Sequence, residues 1–146
     1  MSTGTRTEQT RAVVQREIDE VWSGERIDAI DDLYAEDVVV GTHRTGDDAP
    51  LVGREATKEL HREWDAAFPD AVTLVNEMLV DGDTAMVWWT FRGTHEATFR
   101  GIEPTGRTVE TDGFSFRRIE GGRVAEMKDF TTMASLFEQL GVEMPA

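Results

Sequence analysis

The sequence predicts an α+β domain in which helices cover one face of a curved sheet. Two observations predict it. Apolar residues recur at helical spacing as far as about residue 68, after which the period changes to the alternation of strands. The order of elements is helix–helix–strand–helix, then a four-stranded antiparallel meander and a last helix, which is an α+β layering.

The elements follow in order. Residues 1–6 read as a flexible start and 7–146 as one domain. From Thr7, the residues Val14, Ile18, Val21 and Trp22 form a helical stripe ending at Gly24, a residue type favoured just past a helix. Ile27, Ile30, Leu33 and Tyr34 mark a second, short helix. The β-branched run "DVVVGTH" is a short strand and "RTGDDAP" a polar loop. "GREATKELHREWDAAF" carries Ala56, Leu60, Trp64 and Ala67/Phe68 at helical spacing, and Pro69 stops it. "AVTLVNEMLV", the turn "DGD" and "TAMVWWTFRGTHEATF" form a hairpin of long strands. The turn "GIEPTG" leads into "RTVETDGFSFRRI", and "EGG" turns into "RVAEMKDF". Met133, Leu136, Phe137 and Leu140 line a last helix before Gly141.

Composition bounds the function. A chain of 146 residues is one domain's worth, long enough for a core with room for a pocket. A hydrophobic fraction of 39%, with four Trp and seven Phe, argues against disorder. No apolar run reaches membrane-spanning length and "MSTGTRTEQT" lacks a signal-peptide core, so a soluble cytoplasmic protein is expected. The absence of Cys removes disulfides, thiolate catalysis and zinc-thiolate sites together. Asp plus Glu number 29 against 15 Lys plus Arg, a net charge of −14, with lysine only at 58 and 128. Such a field repels nucleic acid and anionic membranes, so neither is an expected partner. In molar salt the Debye length falls to ~3 Å and the self-repulsion largely vanishes. An acidic, lysine-poor surface of this kind resembles those of halophiles.

Strand parity sorts the second half. On the strand from Thr84, Ala85, Val87, Trp89, Phe91, Gly93 and His95 share one face, and Met86, Trp88, Thr90 and Arg92 the other. Both faces are partly apolar. One is expected to pack on the helices and the other on a second subunit, giving a homodimer; the alternative is that Trp88 is a lone exposed aromatic. Asp129 shares a face with Met127, a poor companion for a merely solvated charge. An inward acid must be hydrogen-bonded or protonated. The competing reading is that Asp129, Thr131 or Thr132 caps the final helix. The "EGG" turn leaves two registers open. A three-residue loop sets Ser115 opposite Met127 and Gly113 opposite Asp129; a two-residue loop sets Phe116 opposite Met127 and Phe114 opposite Asp129.

Familiar catalytic signatures are missing. There is no phosphate-cradling glycine motif, no nucleophile elbow and no metal-ligand spacing. His43, His61 and His95 fall on different elements, with His61 at the boundary of an apolar stripe and His95 on the rim before a turn. "DGD" is only a fragment of a calcium loop.

The run "FPDAVTLVNEMLVDGDTAMVWWTFRGTHEATFRGIEPTGRTVETDGFSFRRIEGGRVAEMKDF" resembles the SnoaL-like polyketide cyclase family, most specifically in "FPD", "GTH", "GIEPTGR" and "RIEGGRVAEMKD". The resemblance extends over nearly the whole chain. It implies the cone-shaped α+β fold shared with nuclear transport factor 2, a curved, mostly antiparallel sheet whose helices enclose a pocket. It also implies that Asp129 is the acid/base of an aldol closure needing no metal or cofactor. The cyclases carry histidines at positions aligned with Ser115 and Met127, and a polar residue near Val40. The first-helix tyrosine of ketosteroid isomerase aligns with Glu17 and its catalytic aspartate falls near Thr42.

The expected site is therefore an apolar pocket with walls from Trp64, Phe68, Trp89 and Phe91, and with Ser115, Met127 and His95 around a catalytic Asp129. The expected ligand is a small hydrophobic carbonyl compound, and the expected activity a cofactor-independent cyclase or isomerase. The alternatives are a non-catalytic binding module for a hydrophobic metabolite, or a dimeric interaction domain whose own side chains fill the cavity.

Overall fold

The computed structural model describes residues 3–24, 26–42 and 50–142. Helix α1 runs Thr3–Glu17, starting ahead of Thr7, and continues as a π-helical turn over Ile18–Trp22. A 3-10 turn at Ile27–Ala29 leads into α2 (Ile30–Leu33), then come β1 (Tyr34–Thr42), β2 (Leu51–Val52) and α3 (Arg54–Ala67). The meander is β3 (Val72–Asp81), β4 (Thr84–Thr94), β5 (Thr108–Glu120) and β6 (Arg123–Thr131), closed by α4 (Met133–Gln139). The six strands lie in the order β2-β1-β6-β5-β4-β3, antiparallel except for β1 beside β6. The expected α+β layering is what forms, a curved, unclosed sheet with helices on its inner face. His43 and most of the polar loop after it lie outside the described residues. No helix among the described residues is long and apolar enough to cross a membrane.

Alternation on the strands decides which face becomes core. On β4, Ala85, Val87, Trp89 and Phe91 are buried while Met86 and Trp88 are exposed. On β5 the buried set is Val109, Thr111, Gly113, Ser115, Arg117 and Ile119. The first helix lies across this face, fastened at both ends. Near its start Thr10 Oγ1 donates to the Gly82 carbonyl at 2.7 Å, and past its end Ser23 Oγ donates to the Thr73 carbonyl at 2.9 Å.

Two local readings are corrected, the end of the fourth strand and the register of the last hairpin. The fourth strand does not run on to Phe99 but stops at Thr94, whose N–H and hydroxyl both donate to the Asp70 carboxylate at 2.7 Å. The chain then folds over an aromatic cluster and buries Phe99. The "EGG" turn is tight: Glu120 pairs with Arg123, and Gly121 and Gly122 both take positive φ, as such two-residue hairpins require. Beyond it a bulge at Ala125 shifts the ladder by one residue, so Ser115 faces Asp129 and Arg117 faces Met127. Neither expected register anticipates that extra residue.

Gly113 is required by close approach. A Cβ there would stand 2.2 Å from the Trp89 ring and 2.6 Å from the Phe130 carbonyl, because the indole lies flat across β5. Gly113→Ala should therefore push Trp89 off its seat and destabilise the fold by ~1–3 kcal/mol, the usual range for overpacking. Urea denaturation followed by tryptophan emission reads both effects. A variant with wild-type stability and an unmoved emission maximum would contradict the packing described.

Candidate active site

The inner face of the sheet and the first helix enclose a chamber of about 460 Å³, counting its open mouth. Its apolar wall comes from Ile18 and Trp22 on the π-helical turn, Trp64 on α3, and Trp89 and Phe91 on β4. The polar groups converge from β5 and β6: Thr111, Ser115, Arg117, Asp129 and Thr131, with Thr73 from β3.

Asp129 is the acid of this chamber. Ser115 Oγ donates to Asp129 Oδ1 at 2.9 Å and itself accepts from Trp89 Nε1 at 2.7 Å, a relay crossing three adjacent strands. Burial pushes the Asp129 pKa up to about 6; the Ser115 hydrogen bond and the Arg117 charge pull the other way, and Glu17 adds a smaller upward push. Asp129 does not cap α4. The N-cap position belongs to Thr132, which makes no side-chain cap bond and whose hydroxyl donates to the Asp112 carbonyl instead.

Beside Asp129 lies a buried charged network. Arg117 Nε donates to Glu17 Oε1 at 2.5 Å and Nη2 to Oε2 at 3.4 Å, and Tyr34 Oη donates to the same Oε2 at 2.8 Å. Arg117 is 2% exposed and Glu17 and Tyr34 are fully buried. Burial works against the Arg117 charge, but Glu17 outweighs it and the pKa is raised. Burial, aided by Glu17, holds the Tyr34 phenol well above its ordinary pKa. Arg117 Nη1 has no hydrogen-bond partner.

The expected site residues divide. Trp64, Trp89, Phe91 and Ser115 stand in the chamber wall with Asp129. Phe68 lies behind that wall, packed on Trp64, Phe91 and Phe99. Met127 is fully buried but does not line the chamber, being level with Arg117 and Val40 in its ladders. His95 is also away from it: Nδ1 accepts the Thr105 N–H at 3.1 Å, and the ring packs against Phe68. His61 is 1% exposed rather than at a boundary, against Trp22, and burial with the Arg117 charge pushes its pKa down to about 3. Glu17, Tyr34, Trp22 and Arg117 were not among the expected site residues. Two signals mark the charged pair: Glu17 falls on the α1 stripe between Val14 and Val21, and Arg117 alternates inward between Ser115 and Ile119. No group of three or more His, Cys, Asp or Glu among the described residues is placed to hold a metal.

The sequence profile of the SnoaL-like polyketide cyclase family matches residues 12–140. The chain belongs to that family. Solved structures agree in fold. A candidate SnoaL-like polyketide cyclase from Jannaschia sp. CCS1 is 21% identical, with a TM-score of 0.85 over 94% of this chain and 95% of that one. IdmH, a candidate polyketide cyclase from Streptomyces antibioticus, is 26% identical, with a TM-score of 0.80 over 92% and 99%. AclR, a candidate hydroxylase from Streptomyces galilaeus, is 23% identical, with a TM-score of 0.81 over 92% and 97%. No curated protein sequence matches. Family and neighbours support a cyclase- or isomerase-like enzyme family, and the SnoaL-like fold here turns one acid, Asp129, into the chamber.

Burial of that acid has a measurable sign. A folded pKa near 6 against an ordinary 3.8 means that folding favours the protonated form. The contribution of Asp129 is therefore most favourable below pH 3.8 and is lost as pH rises through 6. The shift amounts to about 3 kcal/mol at pH 8. Asp129→Asn, neutral at every pH and still able to accept from Ser115, should be more stable than wild type by ~1–3 kcal/mol at pH 8, the gain shrinking toward pH 4. Guanidinium denaturation at several pH values measures it. A loss of stability at pH 8 would mean that the carboxylate serves the fold.

Proposed function

We propose that the protein is a cofactor-independent acid/base enzyme acting on a small carbonyl compound, of cyclase or isomerase type. One observation carries this reading: a carboxyl turned inward and half-buried, raised toward neutrality by desolvation, shares an apolar chamber with a charged donor. Asp129 removes the proton α to a carbonyl and the C–H electron pair moves onto the carbonyl oxygen. The resulting enolate either attacks a second carbonyl of the same molecule or is reprotonated by Asp129 at another carbon. A base poised near 6 is half-ionised there and can both take and return the proton. The Trp89–Ser115 relay fixes which oxygen is held and leaves the other for substrate.

Neutral ketones and 1,3-diketones in deuterated water test the first step without knowledge of the natural substrate. The wild type should accelerate α-hydrogen exchange of at least one of them, with a rate that climbs with pH and levels off above about 6. Asp129→Asn should lower it by ~10²–10⁴-fold, the usual worth of general-base catalysis. Equal exchange by the two proteins, with the variant folded, removes Asp129 from the chemistry.

For the outer face of the sheet we propose a second copy of the chain as the occupant. Leu79, Met86, Trp88, Phe114 and Phe130 are exposed there, with Trp88 and Phe114 stacked at 6.3 Å. Two ion pairs cross strands on this face, Arg92 with Glu110 at 2.6 Å and Arg118 with Glu126 at 2.9 Å. On a chain of net charge −14, these two ion pairs lessen the like-charge repulsion that two copies would meet there. Light scattering should find a dimer at micromolar concentration and a monomer for Phe114→Asp; a monomeric wild type refutes the pairing.

A further inference from the structure

Deepening the acid/base reading, on which it rests, we propose that Arg117 is a second catalytic group, its Nη1 donating to the enolate oxygen of an uncharged substrate. Arg117 lines the same chamber as Asp129. Two of its three nitrogens, Nε and Nη2, are committed to Glu17, and the third has no partner although buried. An unpaired buried donor is costly, and a charged one more so, unless water or a ligand oxygen meets it. Glu17 and Tyr34 are the positioning residues. Their bonds fix the guanidinium plane and leave no freedom for Nη1 to seek another acceptor.

Charge conservation inside the chamber explains why this arrangement favours the reaction. With Asp129 ionised, Arg117, Glu17 and Asp129 sum to one negative charge. When the substrate proton moves to Asp129 and the electron pair to the carbonyl oxygen, the sum is unchanged; the charge has only been relocated. A donor already in place where that charge arrives does not reorganise during the step, which is the strongest form of electrostatic catalysis. The same sum disfavours a ligand that brings its own negative charge, because such a ligand enters a buried site already carrying one. Neutral His61 contributes no competing cation. The substrate class is thus an uncharged ketone, aldehyde or ester rather than a carboxylate.

A chromophoric phenol tests the donor apart from any turnover, since phenolate is a planar oxyanion that resembles an enolate. Asp129→Asn mimics the protonated acid, and 4-nitrophenol titrated into it reports its own ionisation by absorbance. The bound phenol should ionise at least about one pH unit below the free phenol, a tenfold shift. Adding Arg117→Lys should abolish that shift. Because a lone change in a buried pair can unfold the chain, the variant Glu17→Gln/Arg117→Met in the Asp129→Asn background, which neutralises both partners, serves as the second arm and should also show none. A bound-phenol pKa equal with and without Arg117, or no binding of the probe by Asp129→Asn at millimolar concentration, overturns the proposal. If that happens while exchange still depends on Asp129, the base reading survives alone; a phenolate shift without such exchange leaves Arg117 an oxyanion site and removes the base.

Discussion

The Glu17–Arg117 pair is the constraint on which the rest of this structure depends. It joins residues 100 positions apart, one on the first helix and one toward the end of the longest strand. Together with the hydrogen bonds at either end of the helix, it fixes a position over the sheet that apolar contacts, being non-directional, would leave free. With it, Ile18 and Trp22 are held at one height above β5, and the gap between them and Asp129 has a defined shape. Buried ion pairs are weak evidence of stability, because desolvation offsets much of the attraction. Their value here is positional. The bidentate geometry and the Tyr34 hydroxyl fix a direction as well as a distance.

The arginine of this pair also tempers the acid. Removed from water with nothing beside it, a carboxyl can rise several units and cease to ionise at neutral pH. Asp129 is checked by Ser115 and Arg117 and comes to rest near 6. Each neighbour therefore has a second task. Ser115 links the Trp89 indole to the carboxyl, and Arg117, tied to Glu17 on the first helix, brings its own positive charge to the chamber.

Much of this was legible before any coordinates. The change of period near residue 70 located the meander, and the parity of Met127 and Asp129 pointed the acid inward, where Met127 is buried and Asp129 lines the chamber. The pairing of Ser115 with Asp129 was not legible, because the bulge at Ala125 leaves no mark in the local pattern and a shift of one residue changes every partner. Arg117 was hidden beside Arg118 in "FRRI", where two adjacent arginines read as surface although alternation sends only one outward. Glu17 was passed over because a charge on an apolar stripe is interpretable only once its partner is known. His95 was misplaced for a different reason: the strand it was assigned to ends at Thr94, held by an aspartate from another element. The two-residue strand β2 is simply too short for any periodic signal.

The distribution of tryptophan has an optical consequence. Trp22, Trp64 and Trp89 surround the chamber, and only Trp88 is turned outward. Their fluorescence is dominated by the interior, and the Trp89 indole is hydrogen-bonded to the serine that steadies the acid. The molecule is thus equipped with an intrinsic sensor of occupancy. Replacing Trp88 alone would leave a probe that responds to what enters the chamber and is blind to association at the sheet, so that the two events can be followed separately in unlabelled protein.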